Sequence, residues 1–223
     1  DFGGGGMLLG FGIACALVEA QRSGQGQVVD AAMVEGASLL AAMFSGMLAA
    51  KRWREERGVN ILDTGAPWYD AYETKDGQHV AIGAIETKFY AELLERLGLS
   101  GEALPGQYEM QRWPELRARF TEVFKSRTRE EWCAAFEGSD ACFAPVLTFS
   151  EAKRDLHNVA RKNFVTIAGV EQPAPAPRYS RTPGGVRHAP PERGEHGRAA
   201  LADWGFSAGE LRKFAELGLG FRS

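Results

Sequence analysis

The segment "WYDAYETKDGQHVAIGAI" (68–85) constrains the fold more than any other part of the chain. Two runs of aromatic and β-branched residues flank Lys75-Asp76-Gly77, and Asp-Gly suits the positive backbone angles of a hairpin turn. Strand periodicity stops at Ile85. The next residues, "ETKFYAELLERLGL", place Phe89, Leu93, Leu94 and Leu97 on one helical face. The sequence therefore predicts a hairpin running directly into an amphipathic helix, with Glu86 at the junction.

Further helices are predicted over Met7–Arg22, stopped at Ser23-Gly24, and over Val34–Trp53. The first is read as mostly buried, with Cys15 inert inside it. "GQVVDAAM" is either a short strand or an extended lead into the second helix. "KRWREERGVN" is a solvated charge run and "ILDTGAPWYD" a turn-rich crossing, where Asp63 and Asp70 read as turn or cap residues. Helix is also predicted from Trp113 to Ser126 and after Thr128, whose spacing to Glu131 is that of a capping box. "CFAPVLTFSEAKRD" reads as strand, turn and helix, and "NFVTIAG" as a strand. The Pro-, Gly- and Arg-rich stretch 171–197 lacks periodicity and reads as a wrapping connection, followed by a closing helix pair near 198–203 and 207–217.

Composition narrows the function classes. With 223 residues, 44% apolar and net charge −3, the chain can bury a core. It lacks the basic stripe that nucleic acid binding requires. Three separated cysteines make neither a disulfide framework nor a zinc site, so no metal is expected and a reducing, cytoplasmic setting is. Met7–Ala20 falls short of the ~20 residues that cross a bilayer and contains Glu19, and no secretory signal is apparent, so no membrane partner is expected.

The opening "DFGGGG" admits several readings. As a nucleotide fingerprint it is weak, because no Gly-Lys-Ser/Thr or βαβ context follows. Asp1 can simply cap the following helix. Alternatively, the glycines strip away side chains so that a flat substrate can approach the carboxylate while backbone amides polarise its carbonyl. Glu86 is equally ambiguous on its own: an acid in a first helical turn suits the helix dipole without any chemical role.

Taken in order, "DFGGGGMLLGFGIACALVEAQRSGQGQVVDAAMVEG", "DTGAPWYDAYETKDGQHVAIGAIETKFYAELLERLGL", "FAPVLTFSEA" and "GEHG" resemble the alpha-methylacyl-CoA racemases of the family III CoA-transferase superfamily. That resemblance implies an α/β chain that is the C-terminal part of the family fold, with its N-terminal Rossmann-like half missing. Residues 1–62 and 173–223 would belong to a large CoA-binding domain, and 63–172 would form a small α+β domain. It implies two catalytic carboxylates: Asp1, paired with a histidine upstream, and Glu86. Gly3, Gly4, Ile61, Leu62, Tyr69 and Ile85 would contact substrate.

The implied reaction inverts the carbon beside a thioester through an enolate, which needs an acid/base group on each face. Coenzyme A would be part of the acyl-CoA substrate rather than a cofactor. Subunits of the family interlock as a homodimer, so Asp1 and Glu86 of one site would come from different protomers, and the chain alone would be inactive. Two rivals remain. One is a CoA transferase in which Asp1 is a nucleophile. That rival is disfavoured because "GAIE" stands where transferases tend to carry a mobile glycine-rich loop. The other is a non-catalytic remnant.

Overall fold

The computed structural model describes residues 1–219 and resolves into two compact units, Asp1–Val146 and Leu147–Ser223. The expected boundary at 62/63 falls within the first unit and that at 172/173 within the second.

The first unit begins with a π-helical turn, Phe2–Met7, that runs straight into helix α1, Leu8–Ser23. Four glycines permit the wider turn, in which the Gly5 and Gly6 amides both bond the Asp1 carbonyl, at 3.2 and 2.8 Å. Gly24 ends α1 in the left-handed conformation. Two expectations are corrected here. No residue of α1 is buried and Cys15 is exposed, because it is the π-turn that packs on the next helix. The helical run Phe2–Ser23 is also 22 residues, long and apolar enough to cross a membrane, so the length argument drawn from Met7–Ala20 does not hold.

Residues 25–32 are irregular, the extended lead rather than a strand. The single helix expected over Val34–Trp53 is two, α2 (Met33–Leu40) and α3 (Ala42–Ala49), broken at Ala41. Ser38 turns its hydroxyl back onto the Val34 carbonyl at 2.8 Å just before the break, a bond that bends helices. Trp53 lies beyond α3, its ring edge-on to Phe44.

The hairpin forms as read. Strands β1 (Tyr69–Glu73) and β2 (His79–Gly83) pair antiparallel with Tyr69 opposite Gly83, and Gly77 takes the positive φ of the turn. Strand β3 (Phe143–Val146) joins the far side of β2, giving the order β1-β2-β3. One face of this sheet is covered by helices α4 (Thr87–Arg96), α5 (Trp113–Phe124) and α6 (Arg129–Phe136). Trp68, Val80, Leu93, Leu116, Phe120, Phe124 and Trp132 are fully or almost fully buried there. Each such large side chain stabilises the fold by roughly 1.5–3 kcal/mol relative to its exposed state. Thr128 and Glu131 form the expected capping box on α6.

The second unit holds short helices α7 (Phe149–Ala152) and α8 (Leu156–Ala160), then a hairpin of β4 (Phe164–Ile167) and β5 (Val170–Pro173). Three of the four residues of β5 fall in the Pro-, Gly- and Arg-rich stretch expected as a connection, a correction to that reading. The signal was Ala168-Gly169, both at positive φ in a two-residue turn. Helices α9 (Gly197–Asp203) and α10 (Ala208–Glu216) follow, α10 with its own capping box at Ser207 and Glu210.

Candidate functional site

The site is built where the sheet meets α4. Strand β2 ends at Gly83, and Ala84 and Ile85 carry the chain to Glu86, which stands as the N-cap of α4. Its backbone is extended, its side chain makes no capping bond, and the residue is exposed. The carboxylate is therefore free to meet a ligand. The carbonyls on either side of the Glu86 Cα are held. Ile85's accepts from the Tyr108 hydroxyl at 2.6 Å and the Gln107 amide at 2.9 Å, and Glu86's own from the Tyr90 amide at 2.9 Å.

Beside this junction lies a mainly apolar cavity of about 440 Å3 lined by Leu62, Tyr69, Ile82, Gly83, Cys142 and Ala144, with Thr64 and Asp70 at its polar edge. Tyr69 reaches across to Gly83, where an added β-carbon would touch its ring at 3.4 Å. Cys142, in the cavity wall, senses the charge of the Glu86 carboxylate. Its thiol is pushed up first by desolvation and next by the negative charge of Glu86, with Asp140 and Glu92 adding to it. A cavity with apolar walls and few polar groups suits an acyl chain.

The loop that supplies Leu62 and Thr64 to the cavity wall is fixed by polar contacts. Asp63 accepts from the amides of Gly58 and Asn60 at 3.1 and 2.7 Å and from the Asn60 side chain at 2.7 Å. Burial is the largest single influence on its pKa and acts upward, yet these bonds together hold the carboxyl below its ordinary range. The turn reading of Asp63 is thus confirmed. Arg117 pairs with Asp70 and donates to the carbonyls of Thr64 and Gly65, tying the loop that carries Leu62 to β1 and α5. Asp70 is thus a partner of Arg117 at the cavity edge, which its reading as a turn or cap residue missed.

Of the expected substrate contacts, Leu62 and Tyr69 line this cavity, whereas Ile61 and Ile85 pack partly buried against the core. Glu86 does not line it but stands three residues past Gly83, which does. Asp1 lies at the exposed start of the π-turn and lines no part of this cavity. Gly4 packs against α2: a β-carbon on it would stand 2.9 Å from the Ala37 amide, and one on Gly3 would stand 3.5 Å from Leu40. Gly4 therefore allows close packing on α2, and the Gly5 and Gly6 amides bind the Asp1 carbonyl. Sequence reasoning missed Cys142, Gln107 and Tyr108, since nothing local in "GQY" marks a contact over twenty residues back along the chain. No cluster of metal-ligating side chains occurs among the described residues.

Comparison with known proteins gives a consistent result. The model of CoA-transferase family III matches residues 1–197. Alpha-methylacyl-CoA racemase of Mus musculus is 47% identical over 95% of the chain, and that of Homo sapiens 43% over the same share. The chain spans 56% of the length of each. Among solved structures, a CAIB/BAIF family protein from Brucella suis superposes with TM-score 0.65 at 23% identity, over 86% of this chain and 51% of that one, and so shares its fold.

Proposed function

The chain belongs to CoA-transferase family III, and from that premise we propose that the protein carrying it is a racemase of 2-methylacyl-CoA thioesters. The observation that carries the reading is Glu86, a carboxylate with no capping bond on a held backbone, three residues past Gly83 in the wall of an apolar cavity. The likeness to two mammalian racemases supports it. Inversion requires removal of the α-proton from one face and return of a proton to the other, and one fixed carboxylate cannot reach both. Glu86 would serve one face. Asp1, with the histidine that the resemblance puts upstream, would serve the other, and the two would exchange roles with the hand of the substrate.

On this reading Tyr69 and Leu62 contact the acyl chain, coenzyme A enters only as part of the substrate, and the working form is an interlocked homodimer with Asp1 and Glu86 supplied by different protomers. The setting is cytoplasmic lipid metabolism without membrane insertion, consistent with the close seat of the π-turn on α2. Deuterium uptake at the α-carbon of a 2-methylacyl-CoA tests the proposal. Exchange with inversion is the expected result. Transfer of CoA to a free acid without exchange would instead make Asp1 a nucleophile and the protein a CoA transferase.

A further inference from the structure

Between α4 and α5 the segment Pro105–Tyr108 folds back onto the end of β2. Gln107 is buried, and its side-chain amide donates to two successive carbonyls, those of Ala84 at 3.0 Å and Ile85 at 2.9 Å. The Tyr108 hydroxyl donates to the Ile85 carbonyl as well, at 2.6 Å. Gln107 is itself anchored, since its backbone carbonyl accepts from the indoles of both Trp68 and Trp113 at 2.8 Å. The Tyr108 ring lies edge-on to Trp68 at 5.3 Å.

This arrangement exceeds what satisfying the backbone requires. The carbonyls of Ala84 and Ile85 lie past the end of the β2 ladder and need partners, but one donor each would suffice. Ile85 receives two. Its carbonyl belongs to the peptide plane that enters Glu86, and the plane leaving Glu86 is held by Tyr90. With both planes fixed, the direction of the Glu86 Cα–Cβ bond is fixed, and only side-chain rotation remains to a carboxylate that has no capping bond.

We propose that Gln107 and Tyr108 are positioning residues for Glu86, holding the strand-to-helix junction so that its carboxylate meets one face of the substrate carbon. The inference rests on the reading of Glu86 as an acid/base group. Displacing a reacting group by about 1 Å costs on the order of 100-fold in rate. A general loss of folding would slow both hands of substrate alike, whereas a misplaced Glu86 slows mainly the hand it deprotonates.

The test follows loss of α-deuterium separately from each enantiomer of a 2-methylacyl-CoA, using the natural protein that carries this chain. Gln107→Leu and Tyr108→Phe are compared with Glu86→Gln. The expected result is a fall in kcat of ~100-fold for Gln107→Leu and ~10-fold for Tyr108→Phe, at nearly constant KM, for the same hand that Glu86→Gln impairs most. Equal loss for both hands, or a change confined to KM, overturns the proposal. If Gln107→Leu does not fold, Tyr108→Phe decides, since it removes one hydroxyl from a half-exposed ring. If the wild type exchanges neither hand, the racemase reading fails on its own. Positioning is then judged by the amide NMR shifts of Glu86 and Thr87: movement in Tyr108→Phe supports it, and unchanged shifts refute it.

Discussion

Gly36 of α2 lies so close to Gly4 that a β-carbon on it would stand 1.8 Å from the Gly4 carbonyl oxygen. The π-turn that begins with Asp1 is therefore seated on α2 backbone to backbone. Gly36→Ala must push the two apart, and overpacking of this kind costs about 1–3 kcal/mol. Gly46→Ala in α3, with open space around it, should instead stabilise by about 0.5–1 kcal/mol. Denaturant unfolding of both variants checks the contrast.

The neighbourhood of Glu86 and Cys142 is testable without any substrate. Desolvation, then the Glu86 carboxylate, pushes the Cys142 thiol up, so removing that charge raises the thiolate fraction. Glu86→Gln should speed alkylation of Cys142 by iodoacetamide at pH 8 by ~2- to 5-fold. Cys133, raised chiefly by burial and facing Arg129 and Glu130 instead, should not respond. Peptide mass spectrometry separates the two sites.

Asp63 gives the loop that carries Leu62 and Thr64 a defined pH dependence. Its folded pKa lies below the ordinary 3.8, so it contributes stability that is present above that value and is lost as pH falls through the lowered one. The gap in unfolding midpoint between wild type and Asp63→Asn should be full at pH 7 and close as pH falls below about 4. Thermal unfolding followed by circular dichroism measures it.

If Asp1 and Glu86 of one site come from different protomers, two dead variants should rescue each other. Mixing Asp1→Asn with Glu86→Gln under subunit exchange should restore about a quarter of wild-type activity, because half the dimers are mixed and each has one intact site. No recovery in demonstrably mixed dimers would place both groups on one subunit.

The parts of this fold that were legible in the sequence are those set by neighbours along the chain. Asp76-Gly77 dictates its hairpin and Thr128–Glu131 its cap, because the interactions involved span a few residues. The π-turn, the break at Ala41 and strand β5 depend on glycine geometry, a serine back-bond and a positive-φ alanine, for which hydrophobic periodicity carries no signal. Glu86 was readable as the junction residue, but the chemical role proposed for it comes only from the resemblance. The Gln107 clamp was not readable, since its partners are the indoles of Trp68 and Trp113 and carbonyls 22 and 23 residues back along the chain.

The most direct measurement starts from one enantiomer of a 2-methylacyl-CoA in D2O and reads both isomers at early times by mass spectrometry and NMR. Two opposed bases should give inverted product carrying α-deuterium while recovered starting material keeps its proton, and Glu86→Gln should slow that inversion by ~1000-fold or more. Deuterium entering the recovered isomer without inversion, or inversion at an undiminished rate in Glu86→Gln, would contradict the account.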